Sequence, residues 1–96
     1  MITSKQRSAL KALANKMEPI FQLGKGGITD NFVKQIDDAL EARELIKGSV
    51  LRSSPMKSKE ALHALCEMVG ADPVCAMGSR MILYRKSKTR AEHIEF

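Results

Sequence analysis

The stretch Ile20-Phe21-Gln22-Leu23-Gly24-Lys25-Gly26-Gly27-Ile28-Thr29-Asp30 decides the fold. Pro19 ends any helix before it, and Ile20 to Leu23 form a short apolar run that predicts a buried strand. Gly24, Lys25, Gly26 and Gly27 follow as a turn, after which Thr29 or Asp30 offers a side-chain oxygen at a helix start. Phe32, Val33, Ile36, Ala39 and Leu40 then recur at helical spacing, which carries the helix to about Ala42. Strand, glycine turn and helix in immediate succession mark an α/β chain.

Toward the C-terminus, Glu44 to Leu51 predicts a second strand, with Gly48 as a weak point or bulge. Ser53-Ser54-Pro55 breaks the chain, and Ser58 is placed to cap a third helix whose Ala61, Leu62, Leu65, Cys66 and Val69 face the core. Gly70 fits the C-terminal cap of that helix. Asp72 to Met77 and Arg80 to Arg85 read as two strands around a Gly78-Ser79 turn. Toward the N-terminus, Thr3 or Ser4 caps a helix to about Asn15, with Ala9, Leu10, Leu13 and Ala14 in one stripe and Arg7 and Lys11 on an exposed face. The order is helix, strand, helix, strand, helix, strand, strand. Strand–helix–strand alternation implies right-handed crossovers between parallel neighbours, and the last two strands pair as a hairpin. The expected architecture is a single α/β domain over residues 1–96, a four-stranded mixed sheet packed against helices. From about residue 87, Lys88 and Arg90 belong to a polar stretch that reads as a mobile basic tail.

Composition narrows the function. Sixteen Lys and Arg against eleven Asp and Glu leave a net charge of +5 on 96 residues. That excess favours a polyanionic partner, although it also serves simple solubility. Cys66 and Cys75 form no CxxC pair and no metal-ligand cluster, and both read as buried free thiols of a cytosolic protein. His63 and His93 have no triad partner at a recognisable spacing. Nothing in the chain calls for a cofactor, a metal or a small-molecule substrate, and no catalytic constellation is visible, so the chain is read as no enzyme. No apolar run approaches the ~20 residues that span a bilayer. Met1 to Arg7 lead into a polar helix rather than a signal core, which makes the expected location cytoplasmic, away from membranes.

Three glycines in four positions let a ligand approach backbone without meeting a Cβ, and Lys25 adds a charge at the tip. The amides at the start of the following helix point the same way, with the positive end of its dipole. Such a site suits phosphate. The P-loop pattern GxxxxGK[ST] is absent, and the dinucleotide pattern GxGxxG is not completed. A GxxG loop clamps nucleic-acid backbone in KH domains, but there it joins two helices, whereas here it joins a strand to a helix. A tight turn that uses glycines for geometry alone fits the motif equally well.

The stretch from Pro19 to Gly27 resembles the signature of the CRM domain (chloroplast RNA splicing and ribosome maturation). Leu40-Glu41-Ala42-Arg43-Glu44-Leu45-Ile46-Lys47 and Gly78-Ser79-Arg80-Met81-Ile82-Leu83-Tyr84-Arg85 fit the same pattern, in order and over nearly the whole chain. A stand-alone domain of this length is most similar to bacterial YhbY-type proteins. The resemblance implies a fold like the C-terminal domain of translation initiation factor three. It also implies RNA binding, with ribosomal RNA of large-subunit precursors as the bacterial partner and organellar introns as the partner of plant relatives. Carried onto this chain, the RNA-binding loop falls on Gly24, Lys25, Gly26 and Gly27. Arg7, Lys11 and Lys34 supply surrounding charge, and Arg80 matches by its position in the last strand. Arg43, at a helix C-terminus, suits a structural role at least as well. Only four aromatics are present, so recognition of backbone and shape is expected over base stacking. The alternative is a protein-interaction module that docks its basic surface on an acidic partner.

Overall fold

The computed structural model describes residues 2–96; Met1 lies outside the described residues. Seven elements follow in the expected order. Helix α1 (Ser4–Ala14) starts on Thr3, whose hydroxyl accepts the Gln6 amide while the Gln6 side chain returns to the Thr3 amide, a reciprocal capping box. Strand β1 (Phe21–Leu23) leads through the glycine turn to α2 (Asp30–Arg43), which Thr29 caps at the Phe32 amide. Strand β2 (Leu45–Val50), α3 (Ser58–Val69), β3 (Asp72–Met77) and β4 (Arg80–Tyr84) complete the chain, and Gly70 ends α3 in the left-handed conformation.

The sheet order is β1-β2-β4-β3, with β1 and β2 parallel and β4 antiparallel to both its neighbours. This corrects one expectation. The crossover through α3 does return a strand parallel to β2, but β4 inserts between β2 and β3, so they are not neighbours. The hairpin folds inward and claims the pairing edge of β2 for itself.

Alternation along the strands sorts side chains to two faces. Phe21, Leu23, Ile46, Val50, Met81 and Leu83 pack on one face under α2 and α3, with Ile36, Leu40 and Leu65 fully buried above them. Leu45, Ile82 and Tyr84 point to the other face and meet Leu10 and Ala14 of α1. Lys47 reaches up from β2 and donates to the carbonyls of Ala14 and Met17, closing the C-terminal end of α1.

Two local readings change. Ser58 is not the cap of α3: the N-cap is Lys57, which makes no side-chain hydrogen bond, and the Ser58 hydroxyl instead donates to the Gly78 carbonyl at 2.8 Å. That bond ties the start of α3 to the hairpin turn. The stretch that composition predicts to be a mobile tail is tied down. Glu41 accepts from the amides of Lys88 and Thr89 and from the hydroxyls of Ser87 and Thr89, and Glu44 accepts from the amides of Ser87 and Ile94 and from His93. Ile94 then packs against the second core, and Phe96 meets the Tyr84 ring edge-on at 5.0 Å. Two carboxylates that satisfy several amides at once outweigh the polar composition of the segment.

Candidate nucleic-acid interface

Because β1 and β2 run parallel, the loops that leave them open at the same end of the sheet. The β3–β4 turn arrives there too, since β4 is antiparallel to β2 and starts at that end. Four chain segments therefore converge: the glycine turn, residues 51–57, the start of α3, and Gly78 to Arg80.

The glycine turn is closed by its own backbone, the Gly27 amide donating to the Gly24 carbonyl at 3.1 Å. Gly27 has φ +68°, and a Cβ on it would stand 3.3 Å from Pro55; a Cβ on Gly24 would touch Leu51. The turn therefore leans on the 51–55 segment, which the Leu51 amide fastens to the Leu23 carbonyl at 2.8 Å. Gly26 differs. Its φ is not positive, and a Cβ there would meet nothing within 4 Å. The fold gives no reason for glycine at that position.

The expected phosphate donors are only partly available. The Gly27 amide closes the turn, the Phe32 amide is taken by Thr29, and the carboxylate of Asp30 sits in the first turn of α2 where it opposes an anion. The amides of Lys25 and Gly26, at the exposed tip, have no backbone acceptor among the described residues. The tip thus sets the Lys25 ammonium beside two open N–H groups, and the amides of Asp30 and Asn31 at the start of α2 likewise have no acceptor among the described residues.

Three contiguous clefts surround this end. One, of about 520 Å³, is walled by Leu51, Arg52, Pro55, Lys57, Lys59 and Gly78. It shares Lys59 with a cleft of about 310 Å³ at the β3 edge, where Arg7 of α1 faces His63 of α3. On the other side it shares Leu51 and Ser79 with an open groove lined by Gln22, Ser49 and Arg80. Gln22, Ser49 and Arg80 are register partners across three strands, on the stretch of sheet face that α1 leaves uncovered. The Arg80 guanidinium is steadied by a 2.8 Å bond to the Ser49 hydroxyl. Neither Asp nor Glu lines any of the three.

Cations at the opposite end are used differently. Arg85 pairs with Asp37 and Glu41 and also donates to the carbonyls of Val69 and Asp37, which makes it a brace between α2 and α3. Among the described residues, ion pairs involve only Arg85 and His93. Among the described residues, Lys25, Arg52, Lys57, Lys59, Arg7 and Arg80 pair with no carboxylate.

Of the residues singled out in the sequence, Gly24, Lys25, Gly26, Gly27 and Arg80 lie at this end, and Arg7 borders it through the cleft it shares with Lys59. Neither the glycine turn nor Lys11 or Lys34 lines any of the clefts; Lys25 is exposed at the turn's tip, Lys34 is exposed on α2 and Lys11 is half-buried on α1. No sequence motif singles out Arg52, Lys57 or Lys59, and His63 stands out only as a histidine without a triad partner. Strand-end logic finds them, because the segment after β2 must open beside the segment after β1 once the two are parallel. Elsewhere, burial pushes the Cys66 thiol up to about 12, with Asp72 adding to the effect, so it is an inert core group. No group of three or more His, Cys, Asp or Glu among the described residues is placed to hold a metal ion, and no described helix is long and apolar enough to cross a membrane.

A small α/β domain whose clefts at one end of the sheet are lined by Lys and Arg and by no Asp or Glu is the class of protein the fold and site define. The chain belongs to the CRS1/YhbY (CRM) domain family, whose model matches residues 2–85. It is 44% identical over 88 residues to the probable RNA-binding protein YqeI of Bacillus subtilis, covering 92% of each chain. It is 31% identical to a protein of Haemophilus influenzae named RNA-binding protein, covering 91% of this chain and 88% of that one. The solution structure of the hypothetical protein SAV1595 from Staphylococcus aureus superposes with a TM-score of 0.81 at 46% identity, covering 98% of both chains.

Proposed function

We propose that this chain binds RNA through the cationic end of its sheet, without turnover, and acts in the cytoplasm as an assembly factor on ribosomal RNA of large-subunit precursors. One observation carries the binding surface: unpaired Lys and Arg from α1, the 51–57 segment, α3 and β4 line contiguous clefts that no Asp or Glu lines, with Lys25 exposed on the neighbouring turn. A field of one sign over a concave surface raises the local concentration of a polyanion and guides its approach. The names of the relatives favour RNA as that polyanion. The few aromatics, of which only the buried Phe21 touches a rim cleft, favour contact with backbone and shape over base reading.

Lys25 and Gly26 carry the test at the loop. Lys25→Glu is expected to weaken binding of a labelled hairpin RNA roughly tenfold, ~1.4 kcal/mol, and to lower the slope of log K against log salt by about one. Since Lys25 is exposed and makes no ion pair, the melting temperature should stay where it is. Gly26→Ala separates a backbone clamp from a turn. Its methyl has open space in the protein, so stability should hold or rise by about 0.5 kcal/mol through the unfolded chain, while RNA affinity drops several-fold because the phosphate now meets a Cβ. Full affinity in both folded variants would remove the loop from the interface. Sedimentation of the tagged chain with large-subunit precursors, lost on RNase treatment, tests the ribosomal part.

A further inference from the structure

We infer that the cleft at the β3 edge, between Arg7 of α1 and Lys59 and His63 of α3, is a second phosphate-contact site that engages the same RNA independently of the glycine loop. This rests on the RNA-binding reading above and adds to it where the RNA runs.

The cleft exists because helices lie on opposite faces of the sheet. α1 covers one face and α3 the other, and both overhang β3, which has a neighbour on one side only. Lys59 and His63 are four apart and so share one face of α3. Arg7 faces them from α1 across a floor of Leu62, Pro73 and Val74. Neither Arg7, Lys59 nor His63 has an ion-pair partner among the described residues. All three side chains are exposed over an apolar floor that no carboxylate lines, so a phosphate can approach them without meeting an acid.

The chemistry of the floor separates RNA from a peptide. An edge strand can accept an added strand, but β3 carries Pro73, which has no amide hydrogen, and its register slips between Pro73 and Cys75. Both features blunt strand addition. What remains is a groove whose contacts come from long cationic side chains, suited to a phosphate chain lying along it.

Distance makes the site separate from the loop. The glycine turn follows β1 and the cleft lies on β3, three strand spacings apart in the order β1-β2-β4-β3, or about 14 Å. No single phosphate bridges that gap. Arg52, Lys57 and Arg80 lie between, so an RNA touching both ends would follow a continuous path along the rim.

The test uses the full chain and a labelled hairpin RNA, with Arg7→Ala/Lys59→Ala as the variant and Lys25→Glu as the loop control. The double variant is expected to bind about tenfold more weakly and to lower the salt slope by about 1.5, as befits two lost contacts. Combined with Lys25→Glu, the fold-losses should multiply, because distant sites act independently. A dinucleotide, too short to span the rim, should show no such multiplication. Unchanged affinity and slope in the double variant, with an unchanged melting curve and with Lys25→Glu still weakening the wild type, would overturn the second site and leave the RNA reading intact. Failure of the wild type to bind hairpin RNA even at low salt would instead remove the reading on which it rests. His63→Ala at fixed pH adds an independent check, since a contact residue there should lose affinity without loss of stability.

Discussion

Gly48→Ala is expected to destabilise the domain by about 3 kcal/mol, the upper end of what overpacking costs, and to lower the melting temperature by roughly 10–20 °C in a chain of this size. Gly48 sits in the middle of β2, paired with Phe21 on one side and Met81 on the other. Its missing Cβ is where the Phe21 ring lies: a Cβ built there would stand 2.1 Å from Cε2 and 2.2 Å from Cζ of that ring. The ring has little freedom to retreat, being buried in the main core and held edge-to-face by Phe32 at 5.7 Å. β1 has only three residues, all paired to β2, so moving Phe21 displaces the strand that carries the glycine turn. RNA affinity should therefore fall along with stability. The mechanism is checked by a double-mutant cycle. Phe21→Leu alone opens space in the core and should cost about 1–2 kcal/mol, but in the Gly48→Ala background it relieves the overlap, and the pair should be more stable than the sum of the two losses implies. Strict additivity in urea denaturation would show that Gly48 is needed for some other reason.

The same residue shows where reading the sequence stops. Gly48 reads as a weak point because glycine adds no side chain to a strand, and only the register reveals that an aromatic ring from the neighbouring strand fills the gap. Local signals were legible throughout. The Thr29 cap, the helical spacing of Phe32, Ile36 and Leu40, the Gly70 cap and the full extent of Asp72 to Met77 all follow from neighbours in the chain. Nonlocal choices were not. Which strand β4 would join depends on competition for one edge of β2, and Ser58 was free to bond Gly78 only once the hairpin turn lay beside it. The glycine turn was visible as a motif, whereas its partners Arg52, Lys57 and Lys59 carry no motif at all. They become a surface only when β1 and β2 align and bring their exits together. Of the amides that the sequence pattern offers to phosphate, the folded chain uses two, those of Gly27 and Phe32, for its own turn and cap.

The C-terminal segment is the other nonlocal feature, and Glu44 is its anchor. Glu44 is fully buried and has φ +67°, a conformation that non-glycine residues rarely hold and that costs about 1–3 kcal/mol. The carboxylate repays this locally by accepting from the amides of Ser87 and Ile94, at 2.7 and 2.8 Å, and from His93 Nδ1. Glu44→Ala keeps the backbone strain and loses all three bonds, leaving two amides short of an acceptor, for an expected loss of about 3–4 kcal/mol. Glu44→Gly loses the same bonds but releases the strain, so it should be the milder variant by about 1 kcal/mol. That order is the reverse of the one inside a helix, where alanine outranks glycine. Glu44→Gln should also destabilise, because its amide group turns a donor toward other donors.

Acid is expected to do reversibly what these substitutions do permanently. Burial opposes the charge on Glu44, but the bonds from His93, Ile94 and Ser87 more than offset it and bring the carboxyl down to about 2. The hydroxyls of Thr89 and Ser87, helped by the amides of Lys88 and Thr89, bring Glu41 down to about 2 as well. Both folded values lie below the ordinary 4.5, so the unfolded chain takes up protons first as the pH falls. Their stabilisation is present in full above about 4.5 and is lost as the pH drops toward 2. Tyr84 is the only tyrosine and there is no tryptophan, so intrinsic emission reports the Tyr84–Phe96 contact at one site. In the wild type this signal should change between pH 4.5 and 2. In Glu44→Gln the segment should already be loosened at neutral pH, and the acid branch of the stability curve should be shallower. Parallel acid branches in the two proteins would mean that Glu44 does not hold the segment in place.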